Sequence, residues 1–396
     1  MTVTVRPPIT APAPEADELP AIAARIGTEV AARHAADVDR WGRFPEETFA
    51  ALRNERMLSL LVPKEHGGAG APLTAVAKAV EVLAGHCGSS GLIYAMHHIQ
   101  VACLVRHGNT PWLQDYLRTV AREDLLLASA TTEMGTGGDV RSSICCVEPT
   151  DGDGFHVEKQ APVISYGVHS DSILLTARRG PDSPPNDQVL VVLPTTDCKL
   201  ERIAVWNTLG FRGTCSDGFK LEASGQTGQI LTDTYGDISS HTMLPTTHVL
   251  WASAWLGIAR QAVSKARSHL RSQARKTPGT TPESARPVAE LVGMLEQFAA
   301  LVYGAAKDYD AALSDDAVLT SMGFAIRMNA LKTTASQMVV DIVGKSLHTI
   351  GMAAYAEESP MSLGMALRDS YGAALMIHND RIYGHTAQML LVSKDG

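Results

Sequence analysis

The sequence has few aromatic residues, modest charge and no long apolar run. Aromatics make up 5% of 396 residues while hydrophobic residues make up 45%. A core must therefore come from Ala, Val, Leu, Ile and the 14 Met, side chains suited to closely packed helices. Only 19% of residues are charged, and 34 Lys+Arg against 42 Asp+Glu leave a net charge of −8. That balance argues against a nucleic-acid partner. The longest apolar stretch, Val249 to Ala259 with Ser253 and Gly257 inside it, falls far short of the roughly 20 residues a membrane span needs, so no transmembrane helix is expected. The six cysteines, Cys87, Cys103, Cys145, Cys146, Cys198 and Cys215, show no CxxC pair and no framework spacing. They read as reduced thiols of an intracellular, cytoplasmic protein. No His, Cys and carboxylate cluster has metal spacing, and no GxGxxG follows a strand, which leaves a Rossmann dinucleotide site without support.

The chain is too long for one core and divides into three parts by texture. Residues 1–18 carry neither a basic n-region nor an apolar h-region and read as a disordered leader. Residues 19–122 form an α-helical domain: Val76, Val80, Leu83 and Ala84 recur at helical spacing, and a later helix carries Tyr94, His97, His98, Val101 and Cys103. PKEHGGAGAP, Pro63 to Pro72, interrupts these helices, and His66 within it reads as a turn residue.

Residues 123–236 turn to short β-rich runs at Leu125–Thr131, Phe155–Lys159, Val163–Ser165, Ser172–Thr176, Val189–Leu193 and Phe219–Glu222. Such spacing without intervening helices predicts an antiparallel barrel or sandwich. From 237 to 396 helical spacing returns, with Leu250, Ala254, Ile258, Ala262, Ala266 and Leu270 on one i, i+4 ridge. Long helices near Leu250–Leu270, Val288–Asp315, Ala317–Ile350 and Met361–Val392 predict a four-helix bundle. The expected fold class is α+β in the order α, β, α.

Two segments point to bound chemistry. SATTEMGTGGDVRS, Ser129 to Ser142, follows a strand and brings three glycines and several hydroxyls together, and Val163 to Asp171 places Ser165 at a strand end before a glycine. In this order they resemble the acyl-CoA dehydrogenase superfamily of flavoproteins. Thr132 to Asp139 matches the family's TEPGAGSD-type loop with Met134 in place of the proline. Ala161 to Gly167 matches its KxWITNG-like element, with Ser165 standing where a Thr hydrogen-bonds flavin N5. Trp206 to Ser216, WNTLGFRGTCS, resembles the family's W…GxRxTxS strand. Ala274 to Gly279 resembles the RxxFG turn, Leu367-Arg368-Asp369 the LxRD element, and His385 to Met389 the GTxQI tail.

The resemblance implies FAD, or FMN in a monooxygenase, and a homotetramer or homodimer. It assigns Thr131, Thr132, Gly138 and Ser165 to the flavin ring and its loop, and Arg275 to the pyrophosphate across a subunit boundary. Ile350, Gly351, Thr386 and Gln388 fall to the rest of the cofactor. Donors from N–H and hydroxyl groups suit the flavin's pyrimidine edge, and a guanidinium suits the pyrophosphate.

The family's catalytic Glu has no counterpart. Counting from Arg368 puts Ile377 at the base position, and counting back from Thr386 puts Gly384 there. The alternative location, near the start of the first bundle helix, offers Thr246, Thr247 and His248. What remains is His98 or its neighbour His97, and His378, with Ser165 beside the flavin; an imidazole near pKa 6.5 suits proton transfer. Asp380 competes as a base, against an ion pair with Arg381. Trp251 and Trp255 read as core, and Cys145-Cys146 as unreactive. One expectation is oxidation of an acyl thioester, carried by coenzyme A or a carrier protein, with a base other than Glu, the electrons passing to a transfer partner. The same fold also hosts flavin monooxygenases that lack the Glu and depend on a flavin reductase. A redox-neutral thioester-binding protein is the third.

Overall fold

Helical spacing in the first third closes into six helices in the computed structural model, which describes residues 12–393. They are α1 (Leu19–Ile26), α2 (Ala32–Trp41), α3 (Glu46–Asn54), α4 (Leu73–Ala84), α5 (Gly88–His107) and α6 (Pro111–Glu123). Most of the expected leader lies outside the described residues; from its described part, Glu15 pairs with Lys64 at 2.8 Å. Helix α5 is buried on nearly every side. It can enter the interior because a Cβ at Gly91 would stand 2.4 Å from the Ala84 side chain, so only glycine permits that approach to α4.

Strands β1 (Leu127–Ala130), β4 (Ser172–Arg178) and β5 (Gln188–Pro194) form one sheet in the order β1-β4-β5. Strands β2 (Glu148–Pro149), β3 (Gly154–Ala161), β6 (Cys198–Ala204) and β7 (Gly218–Gln226) form another, ordered β2-β3-β7-β6. The middle part is thus a pair of open sheets, not a closed barrel. Nor is it wholly antiparallel, because β1 pairs parallel to β4. The chain leaves β1 for the glycine loop and the other sheet before it returns, the long crossover a parallel pair requires. Lys159 on β3 ties the sheets together, its buried Nζ donating to the carbonyl (2.6 Å) and hydroxyl (2.9 Å) of Thr176 on β4.

Val163–Ser165 and Trp206–Ser216, expected as strands, are irregular. Tyr166, Phe211 and Cys215 adopt left-handed φ of 43°, 48° and 45°, which breaks extended pairing. The two segments clasp each other instead, through Ile164 N–H to Asp217 O and Tyr166 N–H to Thr214 O, each 2.8 Å.

After α7 (Tyr235–Ile238) come α8 (Leu244–Lys276), α9 (Ala285–Ala312), α10 (Asp316–Leu319), α11 (Met322–Ile350), α12 (Met352–Tyr355), α13 (Gly364–Gly372) and α14 (Asn379–Leu390). By length and composition alone α9 is apolar enough to cross a membrane, a helix the apolar-run criterion passed over. Here Leu291, Leu295, Phe298 and Val302 are buried along one of its faces. The expected fourth bundle helix is broken between α13 and α14. At the break Ile377 has φ 54°, and the buried Lys332 of α11 donates to its carbonyl at 2.6 Å.

Candidate active site

The loop after β1 is closed by Glu133, whose carboxylate accepts the backbone N–H groups of Ile144 (3.1 Å) and Cys145 (2.7 Å). Lys159 lies 3.6 Å from the same carboxylate. Between these anchors Gly135, Gly137 and Gly138 take φ of 91°, 61° and 77°, values that a side chain would oppose. The loop turns on itself, with Asp139 N–H donating to the Thr136 carbonyl and Thr136 Oγ1 to the Glu133 carbonyl, each at 3.1 Å. Thr132 donates to the Val163 carbonyl at 3.4 Å, and the Thr131 carbonyl accepts from Thr176 at 3.4 Å. The structure therefore brings the glycine loop against the segment that holds Ser165.

Ser165 stands half-buried at the end of a row of hydroxyls. Ser216 Oγ donates to it at 2.8 Å, and Thr214 Oγ1 lies 2.8 Å behind Ser216. Both are buried, so Ser165 is the member of the row nearest solvent. Asp369 fixes the loop that carries this row: its Oδ1 accepts the Phe211 N–H at 2.5 Å. Burial pushes the Asp369 carboxyl up to about 7.

Helix α14 closes the other side. Arg381 donates to the carbonyls of Gly138 and Gly137, the latter at 2.5 Å. A cleft of about 340 Å³ lies here, lined by Asp139, Arg141, Arg381, Gly384, His385 and Gln388. Thr386, one residue on, accepts from Asn329 Nδ2 at 3.0 Å. Arg275, Ile350 and Gly351 do not line this cleft. Arg275 is exposed near the end of α8 and donates to the Arg271 carbonyl, and Gly351 ends α11 with φ 78°.

The histidines separate by burial. His97 and His98 are both inaccessible to solvent. Nε2 of His97 lies 2.6 Å from the Leu58 carbonyl while its Nδ1 accepts the Leu127 N–H at 3.0 Å, so the ring is a neutral Nε2–H tautomer with both nitrogens used. Burial pulls it down to about 4. His98 Nε2 lies 3.2 Å from the Met57 carbonyl, and burial, with His97 beside it, holds its pKa well below the ordinary value. His378 is half-exposed and accepts the Asp380 N–H at 3.3 Å, which makes it the N-cap of α14. Asp380 lies 3.5 Å from His378, while Arg381, its expected partner, is engaged with the glycine loop.

Residues 13–124 match the acyl-CoA dehydrogenase N-terminal domain and residues 240–376 the acyl-CoA dehydrogenase C-terminal domain. The chain belongs to the acyl-CoA dehydrogenase family. A probable acyl-CoA dehydrogenase of Mycobacterium leprae is 31% identical over 172 residues, 43% of this chain and 44% of that protein. A dibenzothiophene monooxygenase of Mycolicibacterium goodii is 26% identical over 333 residues, 79% of this chain and 80% of the other. The FMN-bound TdsC structure from Paenibacillus sp. A11-2 superposes with a TM-score of 0.82 at 18% identity, covering 94% of this chain and 97% of that one.

As a member of the acyl-CoA dehydrogenase family the chain is an oxidoreductase. Both counts for the family's base position land on non-acidic residues: Ile377 in the helix break and Gly384 in the cleft wall. Thr246, Thr247 and His248, at the alternative location, are buried. Burial, with Lys332 nearby, lowers His248 to about 3. Among the described residues no His, Cys and carboxylate group has the geometry to hold a metal.

Sequence reasoning missed Arg381, Ser216 and Lys332. Arg381 was masked by its acidic neighbour. Ser216 lay inside a recognised motif, but nothing in the sequence tied it to Ser165.

Proposed function

We propose that this chain is a flavin-dependent monooxygenase of the acyl-CoA dehydrogenase fold, using reduced FAD or FMN and O2 to oxygenate a small-molecule substrate. The observation that carries this reading is the absence of a carboxylate at both family base positions: without a group to remove an α-proton, dehydrogenation lacks its coupled step. The extent of the dibenzothiophene monooxygenase match, 79% of the chain against 43% for the dehydrogenase, supports it.

A flavin suits the residues present. The backbone N–H groups of the glycine loop and the Ser165 hydroxyl, which accepts from Ser216 and keeps its own hydrogen, offer donors to the flavin's oxygen- and nitrogen-rich edge. The bound reduced flavin supplies the electrons that activate O2. The chain's own contribution is to orient the ring through Ser165 and the glycine loop, and to move a proton at an imidazole, for which the accessible His378 is the candidate, His98 being sealed inside the protein. A flavin reductase is the partner this chemistry requires. Tyr371, Leu375, Tyr383, Leu390, Leu391 and Val392 are exposed along the C-terminal helices, which supports a homo-oligomer in which Arg275 reaches a neighbour's cofactor. Free, largely buried cysteines support a cytoplasmic setting.

The second reading, oxidation of an acyl thioester with a base other than Glu, is favoured by the two family domains and by the closeness of the Thr132–Asp139 loop to the dehydrogenase pattern. Anaerobic mixing of flavin-loaded protein with acyl-CoA thioesters separates the two. No bleaching is expected, while O2 should reoxidise the chemically reduced flavin through a long-lived absorbing species. Bleaching by a thioester overturns the monooxygenase reading, and failure to bind any flavin overturns both in favour of a redox-neutral protein.

A further inference from the structure

Lys332 on α11 exposes none of its surface, and among the described residues no carboxylate pairs with it. A buried ammonium is costly unless its N–H groups are used. Its Nζ donates to the Ile377 carbonyl at 2.6 Å and to Asn379 Oδ1 at 2.8 Å, and lies 5.9 Å from the ring centroid of Trp255. Ser336, one turn along α11, accepts from Asn379 Nδ2 at 3.0 Å. Every hydrogen bond from the ammonium therefore goes to one place, the break between α13 and α14.

That place needs holding. Ile377 is left-handed, with φ 54°, a conformation β-branched residues rarely take. The next residue, His378, caps α14, and one helical turn later Arg381 grips the carbonyls of Gly137 and Gly138. A connected path runs from the bundle interior through Ile377 and Asn379, along the first turn of α14, to the glycine loop.

We infer that Lys332 is a positioning residue for the glycine loop: by holding the left-handed turn at Ile377 it sets where α14 begins, and hence where Arg381 meets Gly137 and Gly138. This rests on the proposed function only in taking that loop as the flavin site. The path itself is a property of the fold.

The test uses the full chain as wild type, Lys332→Met, Arg381→Met and the double variant Lys332→Met/Ile377→Gly. It reads hydrogen exchange of the flavin-free protein and titration with FMN and FAD followed by flavin fluorescence. Lys332→Met should speed exchange both at residues 376–384 and at residues 136–140, and weaken flavin binding roughly tenfold to a hundredfold, the loss expected for a hydrogen bond to a charged group. Arg381→Met should speed exchange at 136–140 while leaving the Ile377 turn protected. Ile377→Gly removes the strain that the lysine holds, so the double variant should recover loop protection and most of the affinity.

Unchanged exchange at 136–140 in Lys332→Met, or flavin affinity within about twofold of wild type, overturns the assignment. If Lys332→Met alone does not fold, the double variant decides: a folded protein with a protected loop supports the inference, and an unprotected loop or renewed failure to fold removes it. Loop protection that follows Lys332 in a protein that binds no flavin leaves the positioning role standing and removes the flavin reading.

Discussion

Nδ1 of His97 accepts the backbone N–H of Leu127 at 3.0 Å, so this ring, one of two adjacent imidazoles the sequence offered for the site, fastens α5 to the first strand. Its Nε2–H is committed to Leu58. Protonation would set a second N–H against the N–H of Leu127, which agrees with a pKa pulled down to about 4 from 6.5. The unfolded chain binds the proton first as pH falls, so this stabilisation is complete above about pH 6.5 and is lost as pH falls toward 4. Urea unfolding should show His97 costing the wild type about 2 kcal/mol between about pH 7.5 and pH 5. In His97→Gln that share of the slope should vanish. An equal slope in both proteins would show that the imidazole is not held neutral.

Asp369 gives the opposite slope. Its carboxyl is raised from 3.8 to about 7 by burial, so the folded state retains a proton that the unfolded chain has released. That contribution is present below about pH 4 and is lost as pH rises toward 7. Asp369→Asn keeps an acceptor for the Phe211 N–H and should flatten this slope. Asp369→Ala leaves the N–H unpaired and should cost about 1–3 kcal/mol at neutral pH. Equal destabilisation by the two variants, measured by urea unfolding, would mean that the bond to Phe211 does not hold the loop.

How far the sequence could be read depended on the distance over which each feature is decided. The ridge from Leu250 to Leu270 identified α8 because helical spacing is local, and the three glycines after Leu127–Ala130 marked the loop because left-handed turns are local. The parallel pairing of β1 with β4 was hidden, since a strand's partner is chosen by the rest of the chain. Strand β6 escaped notice because five of its seven residues are exposed and its apolar alternation stops after Cys198 and Leu200. The break at Ile377 was hidden for the same reason as the pairing: the residue that enforces it, Lys332, lies 45 positions away. At the site, motif residues such as Thr132 and Ser165 were legible, whereas Ser216 and Arg381 act through contacts that only folding creates.

Ser165 offers the most direct test of the flavin site. It is half-buried and receives a hydrogen bond from Ser216, so Ser165→Ala should cost stability only about 0.5 kcal/mol. The reaction of bound flavin should slow roughly tenfold, the worth of one hydrogen bond to a reacting centre. Ser216→Ala, which removes the donor behind it, should fall between that variant and wild type. Stopped-flow reoxidation of the reduced flavin reads both, and an unchanged rate in Ser165→Ala would take Ser165 out of the site.

His378 combines two roles that must be separated before it can be called catalytic. Its Nδ1 accepts the Asp380 N–H and caps α14, so His378→Ala would disturb the helix that carries Arg381, and lost activity would not distinguish a missing cap from a missing imidazole. Asn is among the best capping residues and does not titrate. His378→Asn should therefore keep thermal stability and flavin affinity near wild type. If the imidazole moves a proton, oxygen-dependent turnover should fall on the order of a hundredfold, the usual scale of a lost general acid or base. Wild-type turnover in His378→Asn together with weakened flavin binding in His378→Ala would leave the residue a cap alone.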